Sequence, residues 1–75
     1  MPTVDILYHL PTHLTARQRA KLEHILKHHY GVTSAHFCSH SRHAMSVEYD
    51  LGSTDAVALL SCIRTMDRRA TMFGL

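Results

Sequence analysis

The sequence predicts an α+β domain in which four strands and two helices follow one another in the order β-α-β-β-α-β. Apolar residues alternate with polar ones in three segments, which is typical of strands with one buried face. In two other segments they recur at helical spacing, each after residues that cap helices. The 75 residues suffice for one domain over 1–75, and with 45% apolar residues we expect a small core.

The first strand and first helix lie on either side of a short loop. Residues 3–9 alternate, with Val4, Ile6 and Tyr8 predicted to face inward, and Pro11 ends the strand. Thr15 and Gln18 have the spacing of a capping box, so a helix is predicted to follow, running to about residue 30 before Gly31. Its predicted buried stripe consists of Leu22, Ile25, Leu26 and His29. The opposite face carries Arg17, Lys21, His24 and His28.

The middle of the chain predicts a hairpin. Strands are expected over 32–39 and 43–51, joined by the polar turn 39–42. The expected inward residues are Ala35, Phe37, Met45, Val47 and Tyr49.

In the last third of the chain, the sequence pattern predicts a second helix, with residues 52–54 as its N-terminal cap. Its inner side is expected to carry Ala56, Leu59, Leu60, Ile63 and Asp67, with Asp67 marking the end of burial. Residues 70–75 are predicted to add a fourth strand. This element order is that of the ferredoxin-like plait, an antiparallel four-stranded sheet with two helices on one face.

Composition narrows the class of protein. A net charge of +2 is too weak by itself to indicate nucleic-acid binding. No apolar run approaches the length of a membrane span, and residues 1–5 lack the layout of a signal peptide. We therefore expect a cytoplasmic chain, or one soluble piece of a larger protein, without direct membrane insertion. Cys38 and Cys62 make no disulfide framework. The unusual feature is the eight histidines, because histidine is the commonest metal ligand in proteins.

A family resemblance rests on three stretches: "LEHILKHHYGV" (22–32), "VEYD" (47–50) and "CIRTMDRRATMFGL" (62–75). Together they resemble the heavy-metal-associated domain of copper chaperones, mercury-binding proteins and metal-pumping ATPases. The resemblance implies the plait fold and a role in metal trafficking. That family carries Gly-Met-Thr-Cys-x-x-Cys between the first strand and the first helix, near Thr15 and Gln18 here. This chain has no cysteine there, so the family's ligands cannot be carried over.

Histidines are the candidates for a replacement metal site. In the predicted topology the first loop and the hairpin share one end of the sheet, which places His9 and His13 near His40 and His43. Neutral imidazoles suit divalent Zn, Ni, Co or Cu. The alternative is that these four are polar loop residues that never converge.

Two further groups are weaker candidates. His36 and Cys38, two apart on one strand, offer two ligands on the open sheet face, although Cys38 could equally fill space there. His24 and His28 have chelating spacing on the first helix but lie among cationic residues, which favours an ordinary solvated face. His29 is expected to be a core histidine with a hydrogen-bond partner, and Cys62 is expected to be packed.

Two functions follow from these patterns. The first is a metal-binding or metal-trafficking module, metallochaperone-like or a regulatory domain of a metal transporter, with a metal ion and a metal-transporting ATPase as partners. The second is a metal-independent protein-interaction module whose open sheet face presents Leu7, His36, Cys38 and Glu48. A dimer through that face could complete a four-ligand site.

Two other classes are not expected. The outward residues of the third strand, Ser46 and Glu48, are not aromatic and so cannot stack bases, which argues against nucleic acid. No nucleophile stands beside an oriented base, so an enzyme is not expected either.

Overall fold

The computed structural model of the chain describes residues 2–73 and contains the predicted order of strands and helices. The elements are β1 (Thr3–His9), α1 (Ala16–Lys27), β2 (Val32–Phe37), β3 (Ala44–Asp50), α2 (Ala56–Ile63) and β4 (Thr71–Met72). The strands form one antiparallel sheet in the order β2-β3-β1-β4. The α+β prediction is therefore confirmed. Neither helix within residues 2–73 has the length and apolar content needed to cross a bilayer.

One hydrophobic core lies between the helices and one face of the sheet. The strands contribute alternate residues, as the period-two pattern predicts: Ile6, Tyr8, Ala35, Met45, Val47 and Tyr49. The helices contribute Leu22, Leu26, Leu59, Leu60 and Ile63. Both helices pack on this face, and within residues 2–73 no helix or strand covers the other face of the sheet. Cys62 packs against this cluster as expected, with its thiol free.

A β-bulge interrupts β2 at Thr33. Val32 pairs with Tyr49 of β3, but Ser34 pairs with Glu48, so Thr33 is the extra residue. Its hydroxyl donates to the carbonyl oxygen of Glu48 at 3.1 Å or to that residue's carboxylate at 2.8 Å. The bulge lets Val32 contact the core three residues before the buried Ala35.

Helix α1 begins as predicted and ends earlier. The Thr15 N–H donates to Gln18 Oε1 at 2.8 Å, and the Gln18 N–H donates to Thr15 Oγ1 at 3.1 Å, so the capping box is present. The helix ends at Lys27 rather than near residue 30, and Tyr30 is 77% exposed. The chain has to turn into β2 here. Gly31 makes that turn with a φ of +86°, and an added Cβ would lie 2.8 Å from the Ser53 Cβ.

Helix α2 is capped by Asp55, not by residues 52–54 as predicted. The Asp55 side chain accepts from the Ala58 N–H at 2.8 Å. Two polar groups of residues 52–54 bond to β3 and do not cap the helix. The Gly52 N–H and the Ser53 hydroxyl donate to the Asp50 carboxylate at 3.0 and 2.9 Å. Several polar residues in a row could cap the helix, and the pattern alone did not select the right one.

The remaining strand ends are shorter than predicted. β2 stops at Phe37 and β3 spans only Ala44–Asp50, because the hairpin loop takes more residues than expected. β4 contains only Thr71–Met72, and the last two positions of the predicted strand, 74–75, lie outside the described residues. Asp67 is buried as expected but lies beyond α2, which ends at Ile63, so its predicted place on the inner side of that helix is wrong.

Tyr8 connects β1 to the start of α2 through a hydrogen bond of its side chain. Its hydroxyl donates to the carbonyl oxygen of Ala56 at 2.8 Å, and its ring is fully buried. Burial, and to a lesser degree the charges of Tyr49 and Asp55, hold the pKa of the Tyr8 hydroxyl far above its ordinary value. Tyr8 therefore stays neutral in the folded chain and keeps its hydrogen bond.

Candidate functional site

One end of the molecule, which we call the loop end, is formed by three loops, residues 10–15, 38–43 and 64–70. The first two are joined by the Leu10 N–H, which donates to the His43 carbonyl at 2.8 Å. The first and third are joined by Thr12 and Asp67, whose side chains are 2.7 Å apart between Oγ1 and Oδ1. The loops at this end are therefore fixed to one another by polar contacts as well as by the strands that they connect.

Three of the four histidines predicted to converge do so at the loop end. The ring centroid of His43 is 6.4 Å from that of His9 and 6.3 Å from that of His13. His9 and His43 are half-buried and His13 is exposed. His9 also packs at 5.6 Å, centroid to centroid, against Phe73. His43 is thus the central ring of a row of three.

The ring of His43 is held by the backbone of the first loop. Its Nδ1 lies 2.7 Å from the carbonyl oxygen of Leu10. A carbonyl can only accept, so Nδ1 carries the hydrogen and the Nε2 lone pair of neutral His43 is free. Metal-bound histidines commonly show this same bond, because it fixes the tautomer and the direction of the ligating nitrogen.

The fourth predicted ligand, His40, does not join this row. It is exposed in the hairpin loop, and in the described part of the chain no ring contact links it to the other three. Within residues 2–73, no three or more His, Cys, Asp or Glu side chains are arranged so that together they could hold a metal ion. His9, His13 and His43 are therefore neighbours without being a preformed ligand set.

The second predicted pair lies apart from this row. His36 is exposed and pairs with Ser46, whereas half-buried Cys38 follows β2, its N–H donating to the Ala44 carbonyl at 2.8 Å. Ala44 pairs with His9 on its other side. Since neighbouring strands are about 4.8 Å apart, Cys38 and His9 are separated by roughly 10 Å. His9 is therefore too far away to join His36 and Cys38 on one ion. That pair offers only two potential metal ligands.

The histidines of α1 and its C-terminal turn are structural neighbours on an exposed surface. The rings of His24 and His28 are 4.3 Å apart between centroids, and His28 Nδ1 lies 2.9 Å from the His24 carbonyl oxygen. Both side chains are exposed. His29 does have the expected hydrogen-bond partner, the Tyr30 carbonyl at 3.0 Å, but it is half-buried beyond the helix end and is not a core residue.

Asp67 is the polar residue whose role the sequence pattern did not reveal. It is 1% exposed. Oδ2 accepts from the Thr12 N–H at 3.1 Å, while Oδ1 accepts from the Thr12 hydroxyl at 2.7 Å and from the Arg69 N–H at 3.0 Å. Burial opposes ionisation, but these hydrogen bonds, with a smaller contribution from the charge of Arg69, hold the pKa of Asp67 below its ordinary value. An ionised Asp67 therefore joins the first and third loops.

The arginines of the chain are all at the loop end or on the first turns of α1 that adjoin it. They are Arg17, Arg19, Arg42, Arg64, Arg68 and Arg69. Two of them bond backbone carbonyls of the loops, Arg19 Nη1 with Leu14 at 2.8 Å and Arg64 Nε with Ala70 at 3.0 Å. Sequence analysis did not detect this concentration, because the six positions are spread over 53 residues of chain and only the fold brings them to one end.

An open depression of about 600 Å³ lies beside Asp67 at the loop end. It is lined by Thr12, Thr65, Met66, Asp67, Arg68 and Arg69. The histidine row and this depression meet at the first loop, where His13 follows Thr12 directly.

A comparison with protein-family models finds none that matches the chain, and a comparison with curated proteins likewise finds no match. The resemblance to heavy-metal-associated domains therefore stays a prediction from the quoted stretches.

Proposed function

We propose that this chain is a divalent-metal-binding module whose ligands are His9, His13 and His43. The observation that carries the proposal is the row of three rings, with centroids 6.4 and 6.3 Å apart. With Zn–N bonds of about 2.0–2.1 Å and a tetrahedral angle, two imidazoles on one zinc ion have centroids about 5 Å apart, so each outer ring would have to move roughly 1 Å closer to His43. The proposal requires the His9 and His13 side chains to rotate toward His43 when the ion binds.

His43 would be the fixed member of this ligand set. Its Nδ1–H is committed to the Leu10 carbonyl, so only Nε2 is available for an ion. Half-buried His9 is restrained by Phe73, whereas exposed His13 is free to move onto the ion. Three nitrogen ligands would leave a fourth tetrahedral position for water or another ligand, which suits uptake and release of Zn, Ni, Co or Cu(II) better than permanent storage.

The fold adds support to a role in metal trafficking. We infer that the sheet is the ferredoxin-like plait, since the element order β-α-β-β-α-β and the central position of β1 and β3 are those of that architecture. Heavy-metal-associated domains, which three stretches of this chain resemble, share that architecture and place their ligands between the first strand and the first helix. Here His9 ends β1 and His13 lies in the loop that follows it. A metallochaperone-like or transporter-regulating role in the cytoplasm, with a metal-transporting ATPase as partner, belongs to this proposal.

The arginines set the expected strength of metal binding. Positive charges near the histidine row repel a dication, and salt screens such repulsion over a Debye length of about 8 Å at physiological ionic strength. Metal affinity should therefore rise with ionic strength, whereas a site dominated by carboxylates would show the opposite trend. The direction in which metal affinity changes with ionic strength therefore distinguishes the proposed site from adventitious binding to acidic residues.

Zinc titration of the reduced, chelator-treated protein, followed by two-dimensional amide NMR and histidine ring signals, tests the proposal. Saturable shifts should be confined to His9, His13, His43 and their neighbours. The His13→Gln variant should lose most of the affinity, and the matched His40→Gln variant should keep it. Unchanged affinity in His13→Gln, or shifts restricted to His24 and His28, would refute the proposed site.

A second function is favoured by one observation on the open sheet face. Leu7 is 41% exposed and lies beside Phe73, which is 49% exposed and whose N–H donates to the Leu7 carbonyl at 2.9 Å. These apolar side chains, with His36, Cys38 and Glu48, would form the contact surface of a metal-independent interaction module. Loss of binding to a partner in Leu7→Asp, with zinc affinity unchanged, would favour this function over the first.

A further inference from the structure

The formal charge of the chain is divided unequally between its two ends. Six arginines against two carboxylates, Asp67 and Glu23, give the loop end and the adjoining turns of α1 a charge of +4, and two lysines against the other four carboxylates leave −2 for the rest. Glu23, the carboxylate of α1, is occupied with the Phe37 N–H at 2.7 Å. The overall charge of +2 therefore hides a strongly positive end, which attracts anions far more than the total suggests.

The start of α1 strengthens this positive end. A helix N-terminus is positive by itself, so its first turn normally favours acidic residues. Here the first turn contains no acidic residue, and Arg17 and Arg19 lie at the start of the helix. Arg19 is held over the first loop by its bond to the Leu14 carbonyl. This arrangement opposes the usual preference of a helix, and departures of this kind are concentrated at functional sites.

In the depression beside Asp67, the side-chain hydrogen-bond donors that remain available to a ligand are guanidinium groups. The Thr12 hydroxyl already donates to Asp67, and the Thr65 hydroxyl donates to the Cys62 carbonyl at 2.6 Å. The Asp67 oxygens are occupied by Thr12 and by the Arg69 N–H. Arg68 and Arg69 are exposed and have no side-chain hydrogen bond within residues 2–73. Two exposed guanidinium groups without a side-chain hydrogen bond among the described residues therefore border one open depression, and the charge of Arg69 also acts on buried Asp67.

We propose that this depression is a binding site for a phosphate group, held by Arg68 and Arg69. The planar fork of a guanidinium matches two phosphate oxygens, and a phosphate carries the negative charge that the positive loop end attracts. The depression has about 600 Å³, within the range of about 300–1,000 Å³ that small-molecule sites occupy. The ligand is thus inorganic phosphate or a small phosphate monoester. This proposal does not depend on metal, because neither arginine belongs to the histidine row.

The test is an amide NMR titration of the chelator-treated protein at constant ionic strength. The probes are inorganic phosphate, phenyl phosphate and benzoate, which separate a free phosphate, a phosphate ester and a carboxylate of similar size. Saturable shifts at Thr12 and at residues 65–70 are expected with both phosphates, with a Kd of about 1 mM or lower. Benzoate should produce no saturation. Equal shifts with all three probes would overturn the proposal.

Two double variants provide the matched comparison. Arg68→Gln with Arg69→Gln should weaken phosphate binding about tenfold or more, since hydrogen bonds to charged groups are lost. Lys21→Gln with Lys27→Gln removes the same charge from the exposed side of α1 and should leave the affinity unchanged. Equal weakening in both would mean a general charge effect and would overturn the site. The amide spectrum of each free variant verifies that it is folded.

Discussion

Replacing Asp67 with alanine should destabilise the fold strongly, because this carboxylate holds two loops of the loop end together. The substitution removes an acceptor shared by the Thr12 N–H, the Thr12 hydroxyl and the Arg69 N–H. Hydrogen bonds to charged groups contribute about 1.5–3 kcal/mol each. Thr12 is exposed, so water can replace the carboxylate at its two donors. We therefore expect a loss of about 2–4 kcal/mol in the free energy of unfolding, less than the sum of three bonds.

That loss is a large fraction of the stability of a chain this short. At about 0.05–0.15 kcal/mol per residue, 75 residues give a free energy of unfolding of about 4–11 kcal/mol. Urea unfolding followed by circular dichroism measures the difference directly, and the midpoint should fall while the slope stays unchanged. The melting temperature should fall by about 10–25 °C.

The pH dependence of this difference is a sharper test. The folded-state pKa of Asp67 is lowered, so its stabilisation is present above the ordinary carboxyl pKa and is lost as pH falls through the folded value. The difference between wild type and Asp67→Ala should be constant from about pH 7 to pH 5 and should shrink below about pH 4. The exposed Asp5→Ala variant is the control, with a change within about 0.5 kcal/mol. An Asp67→Ala loss that small would refute the reasoning.

Three further substitutions test the turn, the tie between sheet and helix, and the core, all by urea unfolding. Gly31→Ala should cost about 1–3 kcal/mol, because φ is +86° and the new Cβ would meet Ser53; an unchanged midpoint would contradict this geometry. Tyr8→Phe should cost about 0.5–1.5 kcal/mol through the bond to Ala56. Because the Tyr8 pKa is raised, that contribution is present below about pH 10 and lost above it, so the variant should lose less stability in alkali than wild type. Leu26→Ala should cost about 2–5 kcal/mol, since Leu26 is fully buried, and a loss under 1 kcal/mol would argue against the core.

The order of strands and helices could be predicted from local sequence patterns. The same patterns also predicted which face of each strand is buried. The alternation in residues 3–9 and the alternation around Val47 each specify an inward face without any long-range information. The residues at which helices and strands end were harder to predict from the sequence. The polar run before α2 offered several capping residues. In the structure Asp55 caps the helix, while Gly52 and Ser53 bond the Asp50 carboxylate instead.

The candidate site was predicted only where it depends on strand order. Because β3 lies between β1 and β2, the first loop and the hairpin meet, and three of the predicted histidines come together. The position of His40 depends on the hairpin loop, whose conformation has no clear sequence signal. Asp67 could not be assigned because its partner Thr12 is 55 positions away in the chain. A side chain that bonds across such a separation leaves no periodic signature.

The bulge in β2 makes one position of this chain tolerant of a change in length. Thr33 is the residue without a partner in the pairing with β3, so deleting it would leave Val32, Ala35 and Phe37 all facing the helices. Deleting His36 instead would turn Phe37 to the uncovered face, because side chains alternate along a regular strand. Among deletions in β2, the fold should therefore accept that of Thr33 best, and the strand would become straighter without it.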